Sequence, residues 1–310
     1  MEVFACRLID GQLRTLGEFL SAINGLLEDP PAGSAARVDY DYIQRHPQVV
    51  DMIGLRWWAA RSVALNATAA EEHLKGVRAL LALTDDLLPL PAMALARSVY
   101  EAVVQTCWLI DVEVSTKQRL ARWAARLLHD TQEVPSALEA FGSAAAEREI
   151  AGTVEGRELG QRLMSRAGFE LRAKGGDRSD ETRLVIYQGE ESSLTPNITT
   201  NVDRYTPGQT YLWPLFSGAT HSRGWLVSGL QGGVTEMYAS ILAPLMDTSD
   251  AFVVELSRYF GLDTRPIVTK THQQRSILMR RTRPSQSAMR GVDGWRAAMG
   301  SWPLPKTNQE

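Results

Sequence analysis

Ala92-Met93-Ala94-Leu95-Ala96-Arg97-Ser98-Val99-Tyr100-Glu101-Ala102-Val103-Val104-Gln105-Thr106-Cys107-Trp108-Leu109-Ile110 is apolar on almost every side. It has no proline and no glycine, and it is long enough for five turns of helix. A helix that is apolar all round belongs inside a bundle, with other helices against each face. Helices must therefore surround it. Upstream, Asp51 to Leu83 is rich in Ala and Leu and lacks proline. Leu55, Trp58, Ser62, Leu65, Ala69, His73, Gly76, Leu80 and Leu83 form one stripe at helical spacing. Thr84-Asp85-Asp86, Pro89 and Pro91 break the chain between these two helices. Further upstream, Leu13 to Leu27 reads as a helix. Asp29-Pro30-Pro31-Ala32-Gly33-Ser34 stops it, and Tyr40 to Pro47 reads as irregular.

Downstream, Ser115 reads as an N-cap for a helix over Thr116 to Glu133. Ser136 opens another, Ala-rich and charged, running to about Arg172. Lys174 to Gly208 breaks the pattern with Gly175-Gly176-Asp177, Ser192-Ser193, Pro196 and Pro207, and Leu184-Val185-Ile186-Tyr187 reads as a short strand. A loop this long in a compact domain is usually a lid, a binding loop or mobile. Helices resume over about 209–230 and 234–260, with Pro244 expected to kink the last. With no internal repeat and no βαβ alternation, the fold class is all-α: a bundle of seven to eight helices with an irregular insert at about 174–208. Residues 1–262 form one domain. Residues 263–310 form a basic extension, with nine Lys or Arg against three acids.

The chain has 310 residues, 44% hydrophobic and 22% charged, which suits a globular protein with a sizeable core. A net charge of −3 does not favour nucleic acid as a partner, and Trp295 and Trp302 are the only aromatic platforms near the basic tail. No apolar run approaches the roughly 18 residues of a membrane span. The start, Met1 to Asp10, carries acids and lacks the pattern of a signal peptide. Two cysteines, Cys6 and Cys107, make neither a disulfide framework nor a zinc site, so a reducing, cytoplasmic setting is expected.

Three groups of residues carry chemistry. Arg97 and Glu101 lie four apart in the most apolar helix, on one face, with Trp108 seven residues further along. Charges there are costly unless paired, so they form either a structural ion pair or the charged floor of a ligand cleft. The next helix carries Arg119, Arg122, Arg126, His129 and Glu133 on one stripe, either a solvated face or an anion-binding ridge. The third group is the stretch Thr210 to Trp225. Ser217, His221 and Trp225 share a helical face there and Trp213 lies just upstream. His221 is either a hydrogen-bonded core histidine or a proton-transfer group between Trp walls. Ser217 does not sit in a G-x-S-x-G elbow, which argues against a hydrolase.

Several stretches taken together resemble a known family: Pro91-Ala92-Met93-Ala94-Leu95-Ala96-Arg97 through Glu101, then Trp108-Leu109-Ile110, Arg119-Leu120-Ala121-Arg122 and Ser217-Gly218-Ala219-Thr220-His221. This order resembles uncharacterised helical proteins of actinobacteria, similar to the DUF5677 group. The resemblance covers roughly residues 70–130 and 210–230, and Ser222 departs from the glycine usual after the histidine. It implies no activity, but it implies that Arg97, Glu101 and His221 belong to one constellation.

The leading expectation is an interhelical cleft for a mainly apolar small molecule, in a binding protein or an enzyme of small-molecule metabolism. Arg97 and Glu101 supply charge and His221 a proton-transfer group. Trp108, Trp213, Ser217, Trp225 and Arg122 line the ligand. No metal is assigned and the cofactor is left open. Three alternatives stand beside it. Arg122 and His129 match the Arg-x6-His spacing of HEPN-type ribonucleases. Asp85 and Asp86, with Asp247, Asp250 and Glu255, are acids of the kind that hold Mg²⁺ for prenyl-diphosphate ionisation, though they depart from both terpene-cyclase motifs. The last is a structural helical partner, with the tail forming a homodimer.

Overall fold

The structure, a computed structural model, describes residues 2–83, 88–139, 142–173, 182–206, 209, 212–221, 234–266, 269 and 273. It is an all-α bundle. Among the described residues nine α-helices run in order: α1 Glu2–Asn24, α2 Ala35–Gln44, α3 Val49–Leu83, α4 Pro89–Ile110, α5 Thr116–Glu139, α6 Ala144–Arg166, α7 Ile198–Tyr205, α8 Leu212–Thr220 and α9 Val234–Phe260. A small antiparallel sheet, β1 Phe169–Ala173, β2 Thr182–Tyr187 and β3 Glu190–Ser193 in that order, stands between α6 and α7.

The apolar helix sits where its composition requires. α4 packs against α3, α9, α8, α7 and α5, and Ala96, Val99, Tyr100, Val103, Val104, Cys107 and Leu109 are buried. On α3, a Cβ at Gly76 would stand 3.0 Å from Leu95 Cδ1 of α4. The glycine lets the two long helices cross tightly.

Four elements differ from the sequence reading. α1 begins at Glu2 and carries the buried Ala5, Leu8 and Ile9. Tyr40 to Gln44, expected to be irregular, belong to α2, and Ser34 Oγ accepts from the Arg37 backbone N at 3.0 Å as its N-cap. The pattern was hidden because its inward stripe, Ala36, Asp39 and Ile43, has an acid in the middle. α5 runs on through Pro135 to Glu139, and Ser143 rather than Ser136 caps α6 by accepting from Ala146 N.

The insert also holds more regular structure than expected. The strand anticipated at Leu184–Tyr187 is β2, paired on both sides, with Val185, Ile186 and Tyr187 buried. β2 turns into β3 through Gln188 and Gly189, at φ 49° and 89°. That is the positive-φ pair a two-residue hairpin turn needs. The sheet rests on α5 and α6. Phe169 stacks on Tyr187 with centroids 4.3 Å apart, and the Tyr187 and Tyr42 hydroxyls meet at 3.1 Å. Pro244 lies inside α9, as read. Ser115 caps α5, its Oγ accepting from Gln118 N at 3.1 Å. Among the described residues no helix is long and apolar enough to cross a membrane, and both cysteines are free thiols. Most of the tail lies outside the described residues.

Candidate functional site

α8 lies along α4, and their register is set by a ring contact. Phe216 and Tyr100, both fully buried, meet edge to face with centroids 5.9 Å apart. Tyr100 falls between Arg97 and Glu101, and Phe216 sits beside Ser217. This core contact therefore brings the polar faces of the two helices together. Trp213 and Ser217 on α8, and His221 just past its end, are four apart and continue a single line along its side.

Five of the expected site residues meet at this seam. The Arg97 guanidinium donates to Glu101 Oε1 from Nε at 3.2 Å and from Nη2 at 3.1 Å. Its Nη1 reaches Ser217 Oγ at 3.4 Å and His221 Nε2 at 3.4 Å. The imidazole accepts there only as the tautomer with its proton on Nδ1. The guanidinium lies over the Trp213 ring, 4.9 Å from its centroid. The Arg97 side chain is 19% exposed and that of Glu101 36%. His221, just past the end of α8, is exposed. The seam therefore combines a fixed cation, a hydroxyl, an imidazole and an indole at the rim of the bundle. Trp225 lies outside the described residues.

Trp108, about 10 Å beyond Glu101 along α4, stands with Arg122 of α5 in a second cluster. Arg122 Nη1 donates to the Trp108 carbonyl at 2.7 Å and to Asp111 Oδ2 at 3.4 Å, and its guanidinium lies over the Trp108 ring. Asp111 ends α4. Its Oδ2 also accepts from Tyr205 Oη at 2.8 Å and pairs with Arg204 at 2.7 Å, while Oδ1 accepts from Glu113 N at 3.0 Å. This buried knot ties the short α7 to the end of the central helix. Burial pushes the Tyr205 hydroxyl well above its ordinary value, and the Asp111 carboxylate adds to the rise.

A third cluster was not anticipated. Asp39, fully buried on α2, receives Arg119 Nε at 2.8 Å and Nη2 at 2.6 Å. Thr116 Oγ1 at 2.7 Å and Tyr259 Oη at 3.0 Å complete its shell. Arg119 Nη1 donates to the carbonyls of Asp111 and Val114. The arginine stripe of α5 is thus not a solvated face, because Arg119 and Arg122 point into the protein. The one signal for Asp39 in the sequence was its place between Ala36 and Ile43 at helical spacing.

The remaining candidates are scattered. His129 Nδ1 is 3.8 Å from Glu133 on the same helix. Asp247 accepts from Gln209 Nε2 at 3.0 Å, and Glu255 pairs with Arg258 at 2.9 Å. Asp85 and Asp86 lie outside the described residues. Among the described residues no three His, Cys, Asp or Glu side chains come together as a metal site. Two cavities lie away from the α4–α8 seam. One, of about 30 Å³, is lined by Arg56, Ala59, Trp123, Tyr259 and Phe260, among others, and has room for about one water. The other is an open hollow of about 410 Å³ lined by residues 47–51 and Arg166. No protein family, no curated protein and no solved structure matches this chain.

Proposed function

We propose that the α4–α8 seam is a binding site for a small, mainly apolar molecule, in a cytoplasmic protein of small-molecule metabolism related to the DUF5677 group. Arg97 supplies the charge, His221 a group that can take or give a proton, and Trp213 an apolar wall. One observation carries the reading: the loose shell around Arg97. Its four polar contacts span 3.1–3.4 Å, whereas charge-assisted bonds close to about 2.7–2.9 Å. Catalytic groups often make such long contacts before a ligand tightens them. Arg122, engaged by Trp108 and Asp111, is not offered to a scissile phosphate, so no geometry favours the ribonuclease reading.

The test uses 1-anilinonaphthalene-8-sulfonate, an apolar probe with one anionic group. The full chain is expected to bind it with a rise in probe fluorescence. Arg97→Ala and His221→Ala are expected to abolish that rise while the far-ultraviolet circular dichroism stays unchanged. Unfolding of both variants, or undiminished binding, would overturn the reading.

A second reading, self-association, has one observation behind it. Val50, Trp57 and Leu65 lie along one side of α3 and are 77%, 51% and 58% exposed. Light scattering of the full chain and of Trp57→Ser is the check. A dimer that becomes a monomer in the variant supports it, and a monomer throughout ends it.

A further inference from the structure

We propose that the group this seam recognises is an oxyanion at the end of an apolar body, and that Glu101 is an internal stand-in which the oxyanion displaces from Arg97. The inference rests on the seam being a ligand site, and it names the ligand class.

The argument begins with the fork. A guanidinium presents parallel N–H groups that match the two oxygens of a carboxylate, or two oxygens of a phosphate. Asp39 uses both of its oxygens on Arg119, at 2.8 and 2.6 Å. Glu101 does not do this for Arg97. Both of its contacts land on the single oxygen Oε1, at 3.1 and 3.2 Å. The difference follows from connectivity. Asp39 approaches Arg119 from another helix and is free to face it squarely. Glu101 sits four residues along the same helix, and that tether brings it to the fork end-on. An i,i+4 pair with the acid 36% exposed is weak and exchanges readily with water.

The groups on α8 complete the site. Ser217 Oγ and His221 Nε2 stand 3.4 Å from the same nitrogen, Nη1, beyond the usual range of a closed hydrogen bond. Both can donate instead to an anion seated on the guanidinium, the serine through its hydroxyl and the histidine through a protonated Nε2. Three donor groups from two helices then converge on one oxyanion. The Trp213 indole, which already carries the guanidinium on its face, is the apolar surface beside it. An uncharged ligand would leave the Arg97–Glu101 pair as it is. An amine would meet the Arg97 cation.

Isothermal titration of the full chain with octanoate, octyl phosphate and octanol tests this. The two anions stand for the two oxyanion chemistries, and octanol for the apolar body alone. At least one anion is expected to bind the native chain more tightly than octanol does. Glu101→Gln, which removes the competing charge, is expected to tighten that anion about fivefold. Arg97→Met is expected to weaken it at least about tenfold, and Arg97→Lys by less, since it keeps charge without the fork. Circular dichroism of each variant checks the fold. If Glu101→Gln leaves the anions unchanged or weaker, or if Arg97→Met leaves them unchanged, the oxyanion assignment is overturned. Octanol binding as tightly as the anions, and weakened by Trp213→Ala, overturns the oxyanion class while leaving an apolar site at the seam. Binding of none of the three brings down both.

Discussion

Arg119 and Arg97 both stand on helices at the heart of the bundle, and both face an acid, yet they are held in opposite ways. Arg119 is 3% exposed, its acid is fully buried, and its donors end on short bonds to Asp39, Asp111 and Val114. Those contacts join α2, α5, the α4–α5 loop and, through Tyr259, α9. Arg97 lies at the rim with longer contacts to one oxygen of Glu101, to Ser217 and to His221. A buried charge must have its shell filled by the protein, because no water can reach it. A charge at the rim can leave part of its shell for water, or for a ligand. Saturation, rather than the presence of an arginine among apolar residues, separates the scaffold arginine from the one at the proposed site.

Breaking the saturated end should have the largest effect. Arg119→Ala leaves Asp39 buried without its partner, and should cost about 3–5 kcal/mol in urea unfolding. A loss under about 1 kcal/mol would mean that water enters the knot and that the contrast with Arg97 is false. Alkaline pH should give the next effect. Burial raises the Tyr205 and Tyr259 hydroxyls above their ordinary value of 10. The folded state then keeps protons that the unfolded chain releases, so the stability is full below about pH 10 and falls as pH rises through the folded values. Each tyrosine contributes a loss of about 1.4 kcal/mol per pH unit in that window. Tyr205→Phe should flatten this slope between pH 10 and 11, and an unaltered slope would count against the Asp111 knot being intact in solution. The smallest stability effect belongs to Arg97→Ala, at under about 1 kcal/mol. A loss as large as that of Arg119→Ala would make Arg97 a structural residue.

Much of the bundle was legible because its cause is local. The all-round apolarity of Ala92–Ile110 placed α4 at the centre, the unbroken Ala and Leu pattern marked α3, and Ser115 marked the start of α5. α2 and the sheet were less legible for a shared reason. α2 points an acid inward, and β1 and β3 mix charged residues, Glu170, Arg172, Glu190 and Glu191, among the rest. Their burial is decided by partners remote in the chain, which periodicity does not register. The turn at Gln188-Gly189 lacks the Asn-Gly or Asp-Gly pair that signals a hairpin most clearly.

The candidate site divides along the same line. Helical periodicity alone determined that Arg97 shares a face with Glu101, and that Ser217 shares one with His221, because neighbours on a helix are fixed by a 3.6-residue repeat. Only the tertiary structure decided that these two faces meet, that Trp213 stands beneath the guanidinium, and that Trp108 and Arg122 belong to a different cluster. That outcome depends on how Phe216 seats against Tyr100, a packing contact between residues more than a hundred positions apart. It also depends on which charges the core could enclose and satisfy, and which it had to leave at the rim.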